Sequence, residues 1–190
     1  MPRIKVISGF DIKIDRKKVL YRIGYKSKDL QKKTPLFESF EYADRRFPSL
    51  IYPAAVTSLL EAHETNGHPI FTDAKKVALC VCTIGPNLES AVETHVKNNE
   101  LLYSLVLDGF GSEAVETLAR QCAAKISKEA ESLGYRSSKR FSPGYKKWPL
   151  EQQAFVFEKV PANRIGVHLT PRFMMIPRKS ISFRINFYDS

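Results

Sequence analysis

Cysteine is scarce in this sequence, three in 190 residues. Cys80 and Cys82 share a CVC tripeptide and Cys122 lies far downstream. That spacing fits neither a zinc knuckle nor a redox CxxC, and the odd count argues against a disulfide framework. Buried free thiols are expected instead. Histidine is equally thin at four residues. His63 and His68 straddle the end of one predicted helix, His95 lies on another, and His168 points outward on a predicted strand. No HExxH or Cys/His pair at ligand spacing occurs, so no metal centre is expected. No apolar run approaches the roughly 20 residues of a membrane span. The opening MPRIKVISGF lacks the apolar stretch of a secretory signal, so the expected location is cytoplasmic. Internal repeats, P-loops and GxSxG elbows are also absent. DGFGSE carries a GxG but no third glycine and no preceding strand, which excludes a dinucleotide fingerprint.

Apolar and basic residues are plentiful. With 43% hydrophobic residues, including 12 Phe and 8 Tyr, the chain has enough to bury a core, and residues 1–190 are expected to form a single domain. The net charge of +10 is uneven, at +7 over residues 1–50, −4 over 51–130 and +7 over 131–190. A basic–acidic–basic chain points to a basic face and an acidic partner: a nucleic acid, an acidic protein, or a small molecule bearing phosphate or carboxylate. Phe and Tyr in the basic ends suit base stacking, yet no nucleic-acid-binding motif accompanies them, so no nucleic-acid partner is expected.

Periodicity supplies a coarse element map. IKVIS and DIKI read as short strands around a turn at Gly9. Asp15 is placed to cap a short helix, DRKKVLYRIG, with Val19, Leu20 and Ile23 on one side and Gly24 as its stop. Within the charge-rich residues 25–50, QKKTPLFESFEYADRRFP is expected as a long loop. YPAAVTSLLEAHETNG reads as a helix, with Ala55, Leu59, Leu60 and His63 at i, i+4, i+5 and i+8 and Gly67 as its end. KKVALCVCTIG reads as a buried strand with Cys80 and Cys82 on one face. GPNLESAVETHV opens a helix with Pro86 in its first turn.

The longest helical signal is LLYSLVLDGFGSEAVETLARQCAAKISKEAESLG. Its stripe is Leu101, Leu105, Leu118, Cys122, Ile126 and Leu133, and Gly134 closes it. Gly109 and Gly111 interrupt it at about 1 kcal/mol each relative to Ala, which calls for close packing, a kink or a ligand approach. PLEQQAFVFEKV reads as a helix from Pro149 and PRFMMIPRK as an irregular basic piece. IGVHLT (Ile165, Val167, Leu169) and SISFRINFY (Ile181, Phe183, Ile185, Phe187) read as a two-strand unit. The mixture places the chain in the α+β class.

One stretch is chemically dense. RFSPGYKKWP, residues 140–149, joins a planar cationic fork at Arg140 to a fixed φ at Pro143 and an open backbone at Gly144. Tyr145 and Trp148 add flat surfaces for an adenine-like ring. A tight connector with Arg140 in a surface ion pair and a ligand-binding loop account for it equally well from local chemistry.

The company this stretch keeps separates the two readings. RFSPGYKKWPLEQQ is followed by IGVHLTPRFMMIPRKSIS and preceded by VALCVCTIGPNLESAV and LDGFGSEAVETLA, blocks that together span roughly residues 77–182. In this order and separation they resemble the activation (reactivation) domain of cobalamin-dependent methionine synthase, and especially its small stand-alone relatives. The first 75 residues match more loosely.

The resemblance implies a C-shaped α+β fold with a twisted antiparallel sheet and flanking helices. It implies a domain that binds S-adenosylmethionine and presents it to inactive cobalamin held by a partner, with a flavodoxin-type donor supplying the electron. The family's Arg-x-x-x-Gly-Tyr element falls on Arg140, Gly144 and Tyr145, beside Pro143. Its second ligand-side segment falls on Ser180 and Ser182, and an acidic contact falls on Glu113 or Glu116. Phe183 stands where the family has a glycine, so its side chain is expected against the ligand. The sequence ends at Ser190, short of the extension carried by the enzyme-linked domain.

The function implied is that of an accessory to methionine synthase or a related corrinoid methyltransferase, taking part in a methyl transfer rather than catalysing independently. The alternative is a docking module whose pocket Phe183 fills. A basic nucleic-acid binder is the third reading.

Overall fold

A computed structural model describes residues 3–65, 69–145 and 148–189. Five strands form one antiparallel sheet: β1 (Arg3–Ile7), β2 (Ala54–Glu61), β3 (Lys76–Thr83), β4 (Tyr135–Ser137) and, late in the chain, Ser180–Asp189. That last strand is β7, because β5 (His168–Leu169) and β6 (Met175–Ile176) form a separate small hairpin. The order across the sheet is β1-β2-β3-β7-β4. One face carries four helices, α1 (Arg16–Arg22), α2 (Pro35–Leu50), α3 (Asn87–Lys97) and α4 (Leu101–Ser132). The other is covered by α5 (Gln153–Lys159), short 3₁₀ turns and Trp148. The architecture is α+β, as the element mixture predicts.

The central strands are buried on both faces, and this explains the largest misreading. In β2, Ala55 and Leu59 face the helices while Val56 and Leu60 face the second core. Apolar residues therefore occupy both registers of the strand, and Ala55, Leu59 and Leu60 mimic a helical stripe. The predicted helix over this stretch is a strand followed by a 3₁₀ turn at Ala62–Thr65, which carries His63. Its predicted stop, Gly67, and His68 lie outside the described residues. In β3, Cys80 and Cys82 face α4 and lie with Cys122 in the helix-side core. Burial pushes the Cys80 thiol above its ordinary value.

Other expectations also change. Residues 35–50 form a helix, not a loop. The Thr34 hydroxyl accepts from the Phe37 amide, Pro35 starts the first turn, and Leu36, Phe40, Ala43 and Phe47 bury one face. The charged residues that resembled a loop cover its outer face. DIKI forms no strand, although Ile12 and Ile14 pack on the helix-side core. IGVHLT does not pair with SISFRINFY, since β5 pairs with β6 and β7 inserts between β3 and β4.

Helix α1 begins as predicted, with the Asp15 carboxylate accepting from the Lys17 and Lys18 amides. Helix α4 runs 32 residues. Leu118, Cys122 and Ile126 of its predicted stripe are buried, but Leu101, Leu105 and Leu133 are exposed, and Val106, Phe110, Ala114 and Ala119 take the core side.

Gly109 and Gly111 owe their identity to close packing. A β-carbon on Gly109 would stand 2.8 Å from Ile23 Cγ2, and one on Gly111 would stand 2.7 Å from Leu88 Cδ2. Gly109→Val is expected to lose about 2 kcal/mol in urea unfolding through overpacking. Gly109→Ala should lose less, because helix propensity returns about 1 kcal/mol. The buried thiols should stay unreactive to Ellman's reagent in the native protein and all three should react in denaturant.

Candidate functional site

A cavity of about 470 Å³ opens between the start of β7, the middle of α4 and residues 140–145. Its walls include Arg140, Pro143 and Tyr145 from the loop, Ser180 and Ser182 from β7, and Glu116 from α4. Five of the six residues named from sequence thus meet at one cavity, across some forty intervening positions. Gly144, the sixth, does not line it.

The loop is held at both ends by aromatic packing. Phe141 and Arg184 exchange backbone hydrogen bonds of 3.0 and 2.8 Å, pinning the loop to β7. The Arg184 guanidinium lies 5.3 Å from the centre of the Phe141 ring, and burial lowers its pKa from the ordinary arginine value. Phe141 stacks on Trp148, with ring centres 6.3 Å apart and planes 16° from parallel. The Gly144 amide donates to the Trp148 carbonyl at 2.7 Å, and the Trp148 amide donates to Tyr145 at 3.0 Å. Gly144 has φ +89°, so its role is to make this reversal rather than to bare backbone to a ligand. Lys146 and Lys147, at the tip, lie outside the described residues.

Trp148 is therefore no ligand wall. It is fully buried in the second core, edge-on to Phe71 at 6.1 Å. Tyr145 remains on the surface at the cavity, 66% exposed. The loop acts as both connector and cavity wall, with Trp148 packed beneath and Arg140, Phe141, Ser142, Pro143 and Tyr145 lining the cavity.

Charge in the cavity comes as a pair. Arg140 donates to the Glu116 carboxylate, and both side chains are about one-third exposed. The structure separates Glu116 from Glu113, which sequence left undecided. Glu113 is buried and turned toward α1, with Arg120 at 2.9 Å, Arg22 at 3.3 Å and Lys18 at 3.6 Å. A carboxylate so enclosed is a structural anchor for α1, because three cations and Thr117 already meet its oxygens.

The serine hydroxyls are engaged inside the protein. Ser182 donates to Gln153 Oε1 and Ser180 donates to the Pro177 carbonyl, both at 2.7 Å. Each oxygen keeps acceptor capacity. Phe183 does not line the cavity. It is fully buried against α4 in the helix-side core, because its neighbours in the strand alternate across the sheet. The expectation that its side chain faces the ligand site is thus corrected. Gln153, Met175 and Ile181 also line the cavity and were not singled out from sequence. Strand alternation around Ser180 and Ser182 marks Ile181 only as a core residue, and nothing local marks the other two.

Among the described residues, no group of three His, Cys, Asp or Glu is arranged to hold a metal, and no helix is long and apolar enough to cross a membrane. His95 bridges Glu100 at 2.6 Å and Tyr42 at 3.0 Å.

No family model and no curated protein sequence matches the chain. Its fold is that of the reactivation domain of methionine synthase. The crystal structure of the MetH reactivation domain bound to AdoHcy superposes with a TM-score of 0.70 at 14% identity, covering 97% of this chain and 78% of that one.

The packing separates the two aromatics of the loop energetically. Trp148→Ala should cost about 3–5 kcal/mol in chemical denaturation. Tyr145→Ala should shift stability by no more than about 0.5 kcal/mol.

Proposed function

We propose that this chain belongs with the reactivation domains of cobalamin-dependent methionine synthase and binds S-adenosylmethionine in the cavity between α4, β7 and the 140–145 loop. The observation that carries the reading is the convergence of two distant sequence elements. Arg140, Pro143 and Tyr145 meet Ser180 and Ser182 around one cavity, in a fold shared with a domain crystallised with AdoHcy. A volume near 470 Å³ lies within the roughly 300–1,000 Å³ of small-molecule sites.

The charges suit the amino-acid end of the ligand, which carries a carboxylate and an ammonium. Arg140 offers a fork to the carboxylate, Glu116 offers an acceptor to the ammonium, and Tyr145 provides a flat face. The Arg140–Glu116 pair is partly exposed and worth no more than about 1 kcal/mol, so a ligand can rearrange it at small cost. When bound, S-adenosylmethionine supplies an activated methyl group. Residues of this chain place it rather than move protons, which supports an accessory role over independent catalysis.

The acceptor would be cobalamin on a partner, either methionine synthase or a related corrinoid methyltransferase. The basic termini favour an acidic redox donor of the flavodoxin type. The docking-module reading rested on Phe183 filling the cavity, and the burial of that side chain elsewhere removes its support.

Calorimetry tests the ligand. S-adenosylmethionine should bind the wild type, and Arg140→Ala should weaken binding about 10–100-fold through loss of a charge-assisted hydrogen bond. Glu116→Gln should weaken it as well, while Glu113→Gln should act on stability instead. Absence of heat from the wild type at millimolar ligand would refute the assignment.

A further inference from the structure

A second cavity, of about 500 Å³, adjoins the first and shares Arg140 with it. It lies between the C-terminal half of α4 and the segment that follows β4. Arg120, Lys139 and Arg140 line it, together with Ser127 and Ser137, over a floor of alanines from α4 and Ile185 from β7. No carboxylate is among its lining residues. Arg120 and Arg140 are each matched by one acidic residue outside the groove, and Lys139 has no ion-pair partner among the described residues. The Glu113 that faces Arg120 is already shared with Lys18 and Arg22. Positive charge is in surplus here.

Ser137 supplies an independent observation. Its hydroxyl oxygen is buried and has no hydrogen-bond partner. Ser137 stands opposite Phe187 in the β4–β7 ladder, and Phe187 packs in the helix-side core, so the hydroxyl lies on the face where the groove runs. A buried hydroxyl ordinarily has a partner. Ser137 lines the groove, and a turn about its χ1 is what a partner bound there requires of the hydroxyl.

We propose that this groove binds a phosphoryl group, with Arg120, Lys139 and Arg140 neutralising its charge and Ser137 donating to one of its oxygens. Two guanidinium forks and an ammonium supply more positive charge than a single carboxylate requires, whereas a phosphate of charge near −2 with several acceptor oxygens uses all of them. The apolar floor leaves room for the body of a phosphate ester. The proposal shares Arg140 with the S-adenosylmethionine reading but otherwise uses residues that do not line the first cavity.

The test is a titration of the full-length, ¹⁵N-labelled chain at low ionic strength with inorganic pyrophosphate and, separately, with AMP. Amide shifts should concentrate at residues 123–127 and 137–140. Tighter binding of AMP would identify a phosphate ester as the ligand type, and tighter binding of pyrophosphate a free inorganic anion. Lys139→Gln and Ser137→Ala should each weaken binding about tenfold. Ser137→Ala loses no hydrogen bond in the free protein, so its melting temperature should hold or rise while stabilisation by pyrophosphate falls. Both variants should keep wild-type affinity for S-adenosylmethionine if that ligand binds, so failure of either reading is visible without the other. No shifts at millimolar anion, shifts scattered over the surface lysines, or undiminished binding by both variants would overturn the proposal.

Discussion

At Gly109 and Gly111, helix α4 comes so near to α1 and α3 that a β-carbon would stand 2.8 Å from Ile23 and 2.7 Å from Leu88. The close approach fixes how α4 is rotated over the sheet, and its polar residues follow from that rotation. Glu113, two residues beyond Gly111, is buried beneath Lys18, Arg22 and Arg120, tying α1 to the long helix. Glu116, nearly one turn further, emerges at the cavity and meets Arg140. Two carboxylates of the same type, three residues apart on one helix, thus have different tasks because packing has set which way each faces.

The sheet has an equivalent role for the loop. Strand β7 sits between β3 and β4 and carries different residues to its two faces. Phe183 and Ile185 enter the core under α4, while Arg184 and Tyr188 meet the second core and the loop. Because Phe141 pairs with the Arg184 backbone and stacks on Trp148, the loop is fastened by backbone hydrogen bonds and aromatic packing together. Arg140 and Tyr145 can then face solvent without being free to wander. A site built this way is largely preformed, which lowers the cost of ordering it on binding.

Much of the site was legible as residue types. Arg140, Pro143 and Tyr145 stand out in one short segment, Ser180 and Ser182 are named only through the family resemblance, and the capping of α1 by Asp15 is visible in its local sequence. The errors were of two kinds. Pattern misled where a strand is buried on both sides, as in β2, since apolar residues at successive positions erase the period of two. Charge masks the pattern over α2, where Thr34, Pro35 and the Leu36–Phe40–Ala43–Phe47 spacing carry the helical signal.

What the sequence determined by itself was therefore local: caps, turn residues, the long helix with its two glycines, the buried strand at Cys80 and Cys82, and the chemical character of the 140–149 loop. Each depends on neighbours within a turn or two of chain. Tertiary structure alone decided that β7 pairs with β3 and β4 instead of β5, that Trp148 goes inward and Tyr145 outward, that Phe183 leaves the cavity clear, and that Glu116 rather than Glu113 faces it. Those outcomes depend on which distant surfaces meet, and strand register and helix rotation are set by the fit of whole faces, which no short stretch of sequence contains.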